Sequence, residues 1–115
     1  MSSQQAQSKR EMPIAEAVRL VDVVNYQEGA VVSRTLVKHA TGTVTVFAFD
    51  AGQGLSEHTA AFDALVQMIE GEAEFTIAGK AFKLQNGEAI LLPANQPHAV
   101  TALTPFKMLL TMIRG

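Results

Sequence analysis

The chain has no cysteine, and this absence excludes disulfides, thiolate catalysis and thiolate-bound zinc or iron–sulfur sites together. Any metal must be held through nitrogen and oxygen. Charge is scarce as well: 17% of the 115 residues are charged, the formal net charge is −2, and no basic cluster exists beyond Lys9 and Arg10. A nucleic-acid binder concentrates positive field on one face, so nucleic acid is not an expected partner. No run approaches the roughly 18 consecutive apolar residues of a membrane span. The N-terminal MSSQQAQSKRE is polar and lacks the apolar stretch of a secretion signal. The expected location is the cytoplasm, with no membrane partner.

What the sequence does have is apolar bulk, 48% of its residues. The length suits one domain with a single core. Residues 1–13 are rich in Ser and Gln without periodicity and read as a frayed tail, which leaves 14–115 as the domain. From Ile14 to Tyr26 the apolar residues Ile14, Ala17, Val18, Val21 and Val24 recur at spacings of three and four, the period of a short helix. The valines in this stretch equally suit a short helix followed by a strand.

From Val31 onward the chain breaks into short β-rich runs separated by turns. VVSRTLVKH, TVTVFAFD, ALVQMI, EFTIAG, KAFKL, EAILLP, AVTAL and FKMLLTMI alternate with ATG, GQG, EGEA, AGK, QNGE, PANQPH and TPF. This rhythm predicts an all-β sandwich or jelly roll. Two of the runs are apolar on both faces. Val44, Val46 and Ala48 oppose Phe47 and Phe49, while Met108, Leu110 and Met112 oppose Leu109 and Ile113. A strand on the outside of a lone barrel alternates apolar with polar, so something is expected to cover the second face, and a homodimer packed through these strands is the simplest cover.

The two segments with the most specific spacing are GQGLSEH, from Gly52 to His58, and GEAILLPANQPH, from Gly87 to His98. Each runs from a glycine, through apolar or turn-forming residues, to one histidine. Together they resemble the two half-motifs of the cupin family. In the first, Gly52, His58 and the closing Gly71 match, with Ala60 where the family has a second histidine and Ala64 where it has a glutamate. In the second, Gly87, Pro93 and His98 match, with Asn95 in place of a glycine and Thr101 in place of an asparagine. The resemblance spans roughly residues 31–113. It implies a double-stranded β-helix, that is a jelly-roll barrel, which the short N-terminal helical segment read from the spacing would precede.

The resemblance also implies an interior site for a first-row metal, of which this chain keeps only the two imidazoles. Asp63, one residue before the lost glutamate, would make a two-histidine, one-carboxylate set of the kind that suits iron. Metal candidates are therefore His58, His98 and Asp63, holding iron, manganese, nickel or zinc weakly. The two alanines remove bulk and polarity from one wall. They predict a wider pocket in which His58 and His98 stand among Phe62, Val66, Met68 and Met108, the composition of a small-molecule site. The leading expectation is a small-molecule-binding cupin-like protein. The alternatives are a metal-dependent oxygenase or isomerase using His58, His98 and Asp63, and a partner module acting through its apolar strand face.

Overall fold

The computed structural model describes residues 12–114. Nine strands are present among them: β1 Val31–His39, β2 Gly42–Phe49, β3 Gly54–His58, β4 Ala64–Glu70, β5 Glu72–Ile77, β6 Lys80–Gln85, β7 Ala89–Leu92, β8 His98–Ala102 and β9 Phe106–Ile113. They form a five-stranded sheet in the order β1-β2-β9-β4-β7 and a four-stranded sheet in the order β3-β8-β5-β6. Every pairing is antiparallel. The expected all-β jelly roll is what the chain forms. Its early and late strands meet in both sheets, β2 beside β9 and β3 beside β8, which brings the two histidine segments together.

The period of two in the strands sorts the side chains. Phe49, Val66, Met68, Ala73, Phe75, Leu84, Leu92, Val100, Phe106 and Met108 are buried in one core between the sheets. Phe106 stacks on Phe49 at 4.4 Å between ring centroids and meets Phe75 edge-on at 6.5 Å. β2 and β9 belong to one sheet and β5 to the other, so these rings tie the two layers. The β4–β5 turn closes on Gly71, whose φ is +85° and whose missing Cβ would run into Pro105 and Phe106. Only glycine serves there, because the site combines left-handed backbone with direct contact to a neighbouring strand.

The outer faces of the two sheets differ. On the four-stranded sheet Glu74 stands between Thr101 and Lys83, an ordinary solvated surface. On the five-stranded sheet a second apolar cluster forms around Val24, Leu36, Val46 and Ala48, with Met12, Val23, Val32, Ile69 and Leu109 against it. The two-faced character of β2 and β9 thus has a source inside the chain. Phe47 and Phe49 turn into the barrel, while Leu109 lies with the N-terminal segment over the outside.

That segment corrects the helical expectation for Ile14–Tyr26. Only a three-residue 3₁₀ turn, Leu20–Asp22, is present. The reason lies in where the main-chain carbonyls go: Val21 accepts from Lys107 Nζ at 2.5 Å and Val23 from Arg34 at 3.3 Å. These contacts draw an apolar but extended strap across the sheet, so the spacing of three and four marks no helix face. The expected tail of residues 1–13 falls mostly outside the described residues. Met12 is held, its N–H donating to the Leu36 carbonyl at 3.2 Å. No helix among the described residues is long and apolar enough to cross a membrane.

Candidate ligand site at a histidine pair

After β2 the chain leaves the five-stranded sheet and enters β3 through a turn in which Gly52 takes φ +80°. Gly52 N–H donates to the Ala102 carbonyl and Ala102 N–H to that of Gln53, at 3.0 and 2.8 Å, which starts the pairing of β3 with β8. The ladder runs Gly54 to Thr101, Leu55 to Val100 and, past an irregularity, His58 to His98. That bulge decides the site, because it turns His58 back into register with the first residue of β8. The approach to β8 is fixed by Asn95 in the left-handed region at φ 65°, a conformation asparagine tolerates in a family glycine position. It is fixed further by hydrogen bonds from Asn95 N–H to the Ala60 carbonyl at 2.7 Å and from Ala78 N–H to the Pro97 carbonyl at 2.8 Å.

The two imidazoles meet edge to face, 4.4 Å between centroids and 69° between planes. His58 Nδ1 lies 2.9 Å from the Ser56 carbonyl and His98 Nδ1 lies 3.2 Å from that of Gln96. A carbonyl oxygen only accepts, so the hydrogen bonds assign the proton to Nδ1 on each ring. In the neutral form each Nε2 then carries a free lone pair. His58 is exposed and His98 is buried. Burial pushes the His98 pKa below the usual imidazole value, and the neighbouring His58 lowers it further, against a smaller opposing pull from the Gln96 carbonyl. His98 therefore favours its neutral form.

Behind the pair is a cavity of about 50 Å³. Phe47, Leu92, Met108 and Leu110 line it from the five-stranded sheet, and Leu55, Phe75 and Val100 from the other. Its walls are apolar apart from the two histidines. Ligand pockets for drug-sized molecules hold roughly 300–1,000 Å³, so this cavity admits a group of only a few atoms. The wider pocket expected from Ala60 and Ala64 is not there. Neither alanine lines the cavity, whose space is limited by the rings of Phe47 and Phe75.

Of the residues singled out from sequence, His58, His98 and Met108 come together at this cavity. Val66 and Met68 face the interior but are buried in the core, away from the lining. Phe62 is 39% exposed and lines an outer hollow instead. Asp63 lines that same hollow, and its Oδ1 accepts the Ala94 N–H at 2.8 Å, which makes it a loop brace. Asp63 does not line the histidine cavity. Phe47, Leu55, Phe75, Leu92, Val100 and Leu110 were missed. Period two from His98 reaches Val100 and from Met108 reaches Leu110, but Phe75 enters only through the β5–β8 register, in which it faces Val100.

No group of three or more His, Asp or Glu residues capable of holding a metal ion exists among the described residues. Two imidazoles without a carboxylate do not fit a tightly held resident metal, since affinity grows with the number of ligands that the fold fixes.

A two-sheet jelly roll with paired histidines at the start of β8 and the end of β3 is the architecture of the cupin class. The chain belongs to the cupin family: the cupin-domain family model matches residues 45–113. A conserved protein of unknown function from Streptococcus pyogenes is similar at 33% identity and TM-score 0.87, with 92% of this chain and 93% of that one covered. A conserved-barrel cupin protein from Leptotrichia buccalis reaches 42% identity and TM-score 0.77, over 82% of this chain and 46% of its own length. A cupin superfamily protein from Desulfitobacterium hafniense, at 24% identity and TM-score 0.86 over 92% of this chain and 97% of that one, shares the fold. A search of the curated proteins gave no match.

Proposed function

We propose that this cupin binds a small neutral molecule carrying an O–H or N–H group, which it presents to the Nε2 atoms of His58 and His98. The observation that carries this reading is the anchoring of both Nδ1 atoms on main-chain carbonyls, which leaves Nε2 as the acceptor on each of two rings whose centroids are 4.4 Å apart. An acceptor pair in an apolar setting selects a ligand that brings its own hydrogen-bond donors, because an unpaired donor or acceptor taken out of water costs about 1–3 kcal/mol. Among the described residues no lysine or arginine lines the cavity, so carboxylates and phosphates find no countercharge there. The cavity size limits the buried part of the ligand to a short apolar group, with the rest at the exposed His58 side.

The competing reading, a metal-dependent oxygenase or isomerase, loses its third ligand with Asp63 engaged elsewhere. Divalent metal on this reading is weakly held and optional. NMR of the histidine ring protons decides between them, using phenol, short alcohols and simple amides as probes against acetate and inorganic phosphate. The neutral donors are expected to shift both histidine signals at neutral pH, and His98→Gln is expected to abolish the effect. Equal shifts with the anions, or stoichiometric zinc or iron in protein purified without chelators, would sink the proposal.

A further inference from the structure

The inward faces of β4, β5, β7 and β9 are apolar, as the core of a barrel requires. β1 and β2 invert this pattern. Phe47 and Phe49 turn inward, so the period of two puts Thr43 and Thr45 on the same inward face of β2. Thr35 is the cross-strand partner of Thr45, and Ser33 that of Phe47, so both share that face. The outward positions of the same strands hold Val32, Val44 and Val46, packed into the cluster beneath the strap. Valine and threonine have nearly the same shape and both suit a strand. Strand formation therefore does not account for valine outside and hydroxyls inside.

These hydroxyls border the histidine cavity. Phe47 lines it, and so does Leu110, the partner of Thr45 on β9. Leu55 and His58 of β3 line it from the other sheet, so β2 faces β3 across the gap between the layers. β1 and β3 are the edge strands on that side. Ser33 and His58 are exposed there, while Thr35, Thr45 and Phe47 are half-buried.

We infer that the ligand of the histidine pair carries a second oxygen, which the hydroxyls of Thr35 and Thr45 hold. Its class is a short diol or hydroxy-carbonyl compound. The inference rests on the ligand reading above and extends it to the other end of the molecule bound. The two Oγ1 atoms lie 3.4 Å apart, long for an O–H···O contact, whose usual range is about 2.5–3.0 Å. Even when one hydroxyl gives its proton to the other, the second proton stays free. The threonines thus supply what the histidines lack. Each neutral ring presents an acceptor at Nε2, and the threonine pair presents a donor. A ligand that donates at one end and accepts at the other satisfies both, with its apolar spacer against Phe47 and Leu110. Branching at Cβ restricts the threonine rotamers, so the hydroxyls are held in place before the ligand arrives.

Titrations of the full chain at neutral pH with n-butanol, the butanediols and hydroxybutanone, followed through the histidine ring protons, give the test. At least one two-oxygen probe is expected to bind about 3–10-fold more tightly than n-butanol, the range of one added hydrogen bond. The double variant Thr35→Val, Thr45→Val keeps the side-chain shape and is expected to abolish that advantage, with n-butanol affinity unchanged within about twofold. Thr35→Val alone should reduce the advantage in a chain with a single altered side chain, should the double variant not melt like the parent. Thr101→Val, on the outer face beside Glu74, should leave the advantage intact. Equal affinity for n-butanol and every two-oxygen probe overturns the inference and leaves the histidine reading standing. An advantage that survives in both threonine variants overturns it as well. Histidine signals that no neutral probe moves overturn the inference and the reading beneath it together.

Discussion

His98 owes its chemistry to being the first residue of β8. Its side chain is buried, its Nδ1 finds the Gln96 carbonyl at 3.2 Å, and His58 is its cross-strand partner. Burial and that partner lower its pKa. The unfolded chain therefore takes up this proton more readily than the folded one between the ordinary imidazole pKa of about 6.5 and the lower folded value. Stability from this source is whole above that window and declines as pH falls through it. The expected result is a melting temperature that drops on going from about pH 7 to about pH 5, and drops less in His98→Gln. Ring-proton NMR should place the His98 midpoint below 6.5, and a midpoint at or above it would contradict the burial argument.

At the scale of elements, the strap of residues 12–26 works by satisfying buried polar groups of the sheet it covers. Lys107, 6% exposed on β9, donates to the Val21 carbonyl at 2.5 Å and lies 4.8 Å from the centroid of the Tyr26 ring. Tyr26 in turn donates its hydroxyl to Glu70 at 2.5 Å. Burial pushes the Tyr26 phenol pKa up, and the Glu70 carboxylate adds to this by holding the proton in place. A cation beneath an apolar strap is stable only while its partners stay, so lysine and strap depend on each other. Lys107→Met keeps the aliphatic stem but removes the charged donor. It is expected to cost about 1–3 kcal/mol and to speed amide exchange at Asp22 and Val23, whose N–H groups close the 3₁₀ turn. Exchange unchanged in that turn would show that the strap is held by its apolar contacts alone.

For the molecule as a whole, one core serves both sheets. The cluster of Phe49, Phe106 and Phe75 crosses from one layer to the other, and all three rings are at most 1% exposed. Phe106→Ala is expected to destabilise the fold by about 3–5 kcal/mol in urea unfolding. Because the four-stranded sheet has no second core among the described residues, near-ultraviolet and far-ultraviolet signals should lose their native values at the same urea concentration. Separate transitions would mean that the layers unfold independently.

The β architecture was legible because period-two alternation and turn residues are local properties of the chain. VVSRTLVKH in the sequence is β1 to the residue, and FKMLLTMI is β9. The glycine, proline and histidine spacings were legible for the same reason, since each marks a turn or a strand start. What lay beyond the sequence depended on long-range contact. Whether Ile14–Tyr26 coils or crosses the sheet was decided by Lys107, more than 80 residues away from the Val21 carbonyl it holds. Asp63 was drawn from ligand candidate to brace by the Ala94 amide. The cavity's size was set by Phe47 and Phe75, which come from opposite sheets and which no local spacing connects. The chain's pattern thus chose the strands and the inward face of each; packing alone chose which inward side chains meet, and therefore the shape of the site.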